Sequence, residues 1–175
     1  MNNLFKEIAA LPGQATVVEP RIWKRFLVRN AVIYACTNIC FNSMIPYFSF
    51  EQPAAVHLFK GAYSIARFLL PLAFIIPLLT TIDTCNKMRA LFQKRATCFS
   101  FPEGFRYNRF LLKQSLLNGS LTFGLTFVVM TALLLAMPEG YTYNGLGASI
   151  LMGIYAGALA LYFMMRAING FLKIK

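Results

Sequence analysis

Residues 62–82 read AYSIARFLLPLAFIIPLLTTI, and every position from Phe68 to Leu79 is apolar. A membrane-spanning β-strand alternates apolar and polar residues over about ten positions. A helix instead needs about 20 mostly apolar residues to cross a hydrocarbon core about 30 Å thick. The stretch fits the helix. Three more runs of this kind extend from about Asn30 to Phe50, Leu116 to Met137 and Leu146 to Met165. They predict an all-α, polytopic membrane protein, a four-transmembrane-helix bundle forming a single domain over residues 1–175.

Composition supports the same class. Hydrophobic residues make up 58% of the chain and charged residues only 13%, against about 25% charged in soluble domains. This excludes a disordered chain, a secreted disulfide scaffold and an ordinary cytosolic enzyme.

The basic residues fall into blocks. Lys6, Arg21, Lys24, Arg25 and Arg29 precede the first run, and Lys87, Arg89, Lys94, Arg95, Arg106, Arg109 and Lys113 separate the second from the third. Arg166, Lys173 and Lys175 follow the fourth, leaving Lys60 and Arg67 on the other side. Positive charge marks the cytoplasmic side. The expected topology is therefore N-in/C-in, multi-pass, in a bacterial inner (cytoplasmic) membrane. The net charge of +11 is accounted for by that topology without a nucleic-acid partner; anionic lipid headgroups are the expected secondary partner.

Leu4, Phe5, Ile8 and Leu11 share one face of residues 3–11, predicting an N-terminal amphipathic helix on the bilayer surface, stopped by Pro12-Gly13. The first long apolar run follows 29 mixed residues and has full spanning length, so it reads as an uncleaved anchor rather than a signal peptide. Trp23, among Arg21, Lys24 and Arg25, is expected at the membrane interface.

Residues 83–115 form the predicted basic cytoplasmic loop, with helical spacing over 86–96 and an aromatic turn, Phe99-Ser-Phe-Pro-Glu-Gly-Phe105. Its candidate contact residues are Arg89, Phe92, Lys94, Arg95, Phe105 and Arg106. The alternative is a surface helix whose Lys and Arg stems snorkel.

Gly145, Ser149, Gly153 and Gly157 recur every four residues in the fourth run, and Ser115, Gly119, Thr122 and Thr126 share a face of the third. In lipid, small residues let helix backbones approach. The expected partners are spans three and four of one chain, with a homodimer through the fourth span as the alternative. Asn38 and Asn42, one turn apart, are expected to point into the bundle as interhelical hydrogen-bond glue or to line a polar path. Arg67 lies just inside the second span, where it can snorkel or pair with Glu51 or Glu139, and Pro71 and Pro77 are expected to kink that helix.

Catalytic chemistry finds no support. Cys36 and Cys40 read as packing residues, and no CxxC with outward cysteines is present of the kind the quinone-linked disulfide-generating enzymes need. His57 has no second ligand nearby. The six carboxylates form no acid/base pair, and no phosphate loop, GxSxG or HExxH occurs. The chain is expected not to be an enzyme and to use no cofactor and no metal.

The layout resembles two groups of small bacterial self-protection proteins: immunity proteins against pore-forming toxins, and TraS-type exclusion proteins of conjugative plasmids. The resemblance rests on size, a basic amphipathic start leading through Pro20-Arg-Ile-Trp-Lys24 into the first span, a basic central loop and minimal outer loops. It implies a non-enzymatic protein that binds another membrane protein. A structural or assembly subunit of a larger complex, and a small oligomeric transporter or channel, are the alternatives.

Overall fold

The computed structural model describes residues 19–50, 54–61, 64–95, 101–138 and 140–174. The amphipathic segment 3–11, Glu51, Cys98 and Glu139 lie outside them. Four helices follow in order: α1 (Pro20–Ser49), α2 (Ile65–Arg95), α3 (Tyr107–Ala136) and α4 (Gly145–Leu172). Each is about 42–46 Å long at 1.5 Å per residue. Three of them, α2, α3 and α4, are long and apolar enough to cross a membrane. α1 is equally long but carries Asn30, Thr37, Asn38, Asn42 and Ser43, which lower its hydropathy.

The burial pattern of α3 is that of a helix in lipid. Its buried positions are Tyr107, Ser115, Asn118, Gly119, Thr122, Thr126 and Met130, mostly small or polar. Its exposed positions include Leu117, Leu121, Leu125, Val128 and Leu135. In water this arrangement would be inverted.

Helix packing departs from the expectation that the third and fourth spans are close partners. α1 packs on α4, α4 on α2, and α2 on α3, while α1 and α2 touch only lightly and α3 and α4 make little direct contact. The helices form a row with α4 and α2 central. The reason is visible at the glycines. A methyl group added at Gly153 would come within 2.7 Å of the Ile39 carbonyl oxygen, and one at Gly157 within 2.6 Å of the Ile39 side chain. The Gly153–Gly157 part of the fourth-span stripe is therefore occupied by α1 of the same chain. One at Gly119 would lie 2.9 Å from the Phe74 carbonyl oxygen, so the stripe on α3 meets α2 there, while Thr126 at its far end hydrogen-bonds the Tyr155 hydroxyl of α4 at 2.6 Å.

A buried polar link reinforces the α2–α3 contact. Asn118 donates to Thr81 Oγ1 at 3.1 Å, and Thr81 donates to the Pro77 carbonyl at 2.6 Å. Asn118→Ala removes the link and leaves Thr81 short of a partner. Interhelical bonds of this kind contribute about 0.6–2 kcal/mol in membranes. Thermal unfolding in mild detergent should accordingly show a drop of a few degrees, and an unchanged midpoint would contradict the link's role.

Both predicted edges of the central loop move. α2 continues without a break through Pro71, Pro77 and the charged residues to Arg95, and α3 begins at Tyr107. The helices thus continue beyond the apolar spans and close on an aromatic core. Met88 and Cys85 are fully buried there, with Trp23, Phe92, Tyr107 and Phe171 each under 10% exposed. Trp23 stacks on Phe26 at 5.7 Å and meets Phe92 edge-on at 6.5 Å. It is a core residue. At the other end the loops are joined by a two-hydrogen-bond bridge, Val56 N–H to Tyr143 O at 2.9 Å and Tyr143 N–H to Val56 O at 2.8 Å. Asn144 caps α4, its side-chain oxygen accepting from the Leu146 and Gly147 amides.

Candidate functional site: a groove between the first two helices

Because α1 and α2 lean on α4 and on each other only lightly, a cleft of about 480 Å³ opens between them. One wall is polar. Tyr34, Asn38 and Asn42 follow each other at four-residue spacing along α1 and line it. The facing wall on α2 is apolar in the middle, with Leu72, Ile75 and Leu79, and charged at its ends, with Arg67 at one and Asp83 at the other. Sixteen residues of helix separate those charges, about 24 Å, most of a hydrocarbon core.

The asparagines do not do what their position on a helix face predicts. Asn38 donates to the Tyr34 carbonyl and Asn42 to the Asn38 carbonyl, each at 2.8 Å, one turn back on the same helix. They are half-buried and are not glue between helices of this chain. Their bonds orient the amides and leave polar surface on the groove wall. Arg67 sits in the first turn of α2 and is exposed at the rim; the acids Glu51 and Glu139, with which a pairing was expected, fall outside the described residues.

The floor of the groove is closed by a cluster that the sequence pattern did not single out. Tyr34 donates a short hydrogen bond to Asp83 across the α1–α2 gap. Lys87 pairs with the same carboxylate at 2.6 Å, donates to the Tyr34 hydroxyl at 3.3 Å and lies 4.7 Å from its ring centroid. Thr84 also donates to the Tyr34 hydroxyl at 3.3 Å. One tyrosine on α1 thereby holds three residues of α2. The i, i+4 spacing of Asp83 and Lys87 was legible; that both would reach Tyr34 depends on the helix pairing.

Other predicted residues distribute differently. Gly145, Ser149, Gly153, Gly157, Gly119 and Thr122 are buried. Phe92 is only 7% exposed and packed in the aromatic core, so it is not a contact residue. Arg89 lies over the Tyr107 ring at 4.8 Å. Phe105 is half-buried and stacked on Phe101 at 5.2 Å, while Lys94 and Arg106 are exposed. The side chain of Arg95 is outside the described set. Cys36 and Cys40 are exposed on α1 rather than packed.

A second cleft, about 450 Å³, lies between α3, α4 and the start of α2 and is lined mostly by apolar residues such as Leu125, Val129, Leu133 and Leu151. Its polar groups are three hydroxyls, those of Thr126 and Tyr155, which pair at 2.6 Å, and that of Tyr143; no charged or amide side chain lines it. Among the described residues no group of three His, Cys, Asp or Glu side chains could hold a metal ion. No protein-family model matches the chain, and neither a curated protein nor a solved structure matches it.

Proposed function

We propose that this chain crosses a bacterial inner membrane four times with both termini cytoplasmic, and acts without catalysis by binding another membrane protein in the α1–α2 groove. The observation that carries this reading is the polar wall of Asn38 and Asn42. Amides exposed to lipid are costly, and here their partners all lie in their own helix, Asn42 also donating to the Asn38 side-chain oxygen at 3.4 Å. A partner helix bearing a hydrogen-bonding side chain would cover them and fill the apolar facing wall.

The fourth crossing is assigned to α1 because it lies along α4 through Gly153 and Gly157 and exposes Val28, Val32, Ile33, Phe41 and Phe48. Cysteines placed singly at Glu19 and Ala54, the exposed residues on either side of α1, test it. Only the Ala54 position should react with a membrane-impermeant thiol reagent in intact cells; reaction at both, or at Glu19 alone, would contradict the topology.

Immunity against a pore-forming toxin, or exclusion of redundant plasmid transfer, is the biological role that the layout suggests. Deletion should then sensitise the host to a cognate toxin or raise redundant transfer. A variant with Asn38→Leu and Asn42→Leu should fail to complement while keeping its level and helix content. Full complementation by that variant would exclude the groove as the working surface. The charges at the two ends of the groove favour one second reading, an oligomeric path for a small solute. It requires flux in proteoliposomes that Arg67→Leu abolishes.

A further inference from the structure

We infer that the cytoplasmic end of α3 is a binding site for the headgroup of an anionic phospholipid, optimally one with two phosphates. Arg106, Arg109 and Lys113 line an open hollow of about 450 Å³ together with Gly104, Phe105 and Phe110. All three cations are exposed, and none takes part in a salt bridge among the described residues. The acids among those residues are Glu19, Asp83 and Glu103. Asp83 is engaged by Lys87, leaving Glu103 in the adjoining turn as the one carboxylate near the hollow in sequence.

The turn itself is shaped for this arrangement. Gly104 has φ +78°, a conformation that side-chain-bearing residues rarely adopt. It lets the Phe105 amide close on the Pro102 carbonyl at 3.1 Å. The turn delivers the chain into α3 with Phe105 beside Phe110, their rings 5.6 Å apart. α3 then begins without a side-chain cap at its N-terminus, so its first amides add to the positive field.

The surface of α3 identifies the source of the phosphate. Beyond Arg109 and Lys113 the exposed residues of α3 become mostly apolar, with Leu116, Leu117 and Leu121 following Lys113 within about two turns. The hollow therefore lies at the edge of the apolar belt, where phospholipid phosphates sit, with the partly buried Phe105 and Phe110 in its lining. Arg106, Arg109 and Lys113 are spread over about 10 Å of helix, a span better matched to two phosphates than to one.

The inference is independent of the groove and is tested by native mass spectrometry of the full chain in mild detergent, titrated with cardiolipin or phosphatidylcholine. A one-to-one cardiolipin adduct is expected, with phosphatidylcholine at least about tenfold weaker. Replacing Arg106, Arg109 and Lys113 together by Gln should weaken cardiolipin at least about tenfold. The matched triple replacement of the exposed Arg21, Lys24 and Arg25 should leave it within about twofold. Lys113→Gln alone, on an exposed position, should give a partial loss and guards against misfolding of the triple variant. Equal losses from both triple variants would overturn the site in favour of diffuse attraction. Displacement of the lipid by inorganic phosphate would overturn the lipid assignment.

Discussion

Gly153→Leu should release α1 from the rest of the protein. The first side-chain carbon alone would stand 2.7 Å from the Ile39 carbonyl oxygen, and backbone cannot give way as a flexible side chain can. Overpacking a tight contact costs about 1–3 kcal/mol. Here the contact is the main one that α1 makes, so the loss should be cooperative. In detergent the variant should become sensitive to protease at α1 and unfold at a markedly lower temperature. Gly147→Leu on the same helix is the control, because no atom lies within 4 Å of the carbon it adds. It should be neutral or slightly stabilising, since glycine is a poor helix former by about 1 kcal/mol. If both variants behaved alike, the α1–α4 contact would not be what holds α1.

Tyr34→Phe should open the base of the groove. Its hydroxyl is the point where Asp83, Thr84 and Lys87 converge. The Asp83–Lys87 pair lies on one helix with both side chains over a third exposed, so by itself it contributes little. The link across the gap is the phenol. A hydrogen bond to a charged group is worth about 1.5–3 kcal/mol, and few other α1–α2 contacts stand in for it. Spin labels at the exposed Val28 and Ala90 should report a longer and broader distance distribution in the variant than in the wild type. Asp83→Asn should give a smaller change in the same direction, because the amide still accepts from Tyr34. Unchanged distances in both would mean that α4 alone sets the width of the groove.

Much of this structure was legible before any coordinates. Hydropathy located α2, α3 and α4 because lipid demands an apolar run of fixed length, and the small-residue stripes marked where backbones approach. What hydropathy does not encode is which helix fills a stripe. Gly153 and Gly157 state only that something comes close, and Ala35, Ile39 and Ser43 on α1 compete for that role with the face of α3. The helical continuation through Asn86–Arg95 was signalled by the spacing of Met88 and Phe92, but the same spacing suits a surface helix. Burial against Trp23 and Phe171 decides it. Asn118 was within reach of a sequence reading, since it lies between Ser115 and Thr122 on the face already recognised. The Tyr34 cluster was not, because it exists only once α1 and α2 are placed side by side.

That placement is also where the functional account stands or falls. A photoreactive amino acid introduced at Asn42 or Ile45, both lining the groove, should trap a protein-sized adduct when irradiated in the native membrane. The same probe at Val128 or Leu135, on the lipid face of α3, should not. Adducts confined to the groove positions are what the account predicts. Equal adducts at all four positions, or none at the groove, would contradict it.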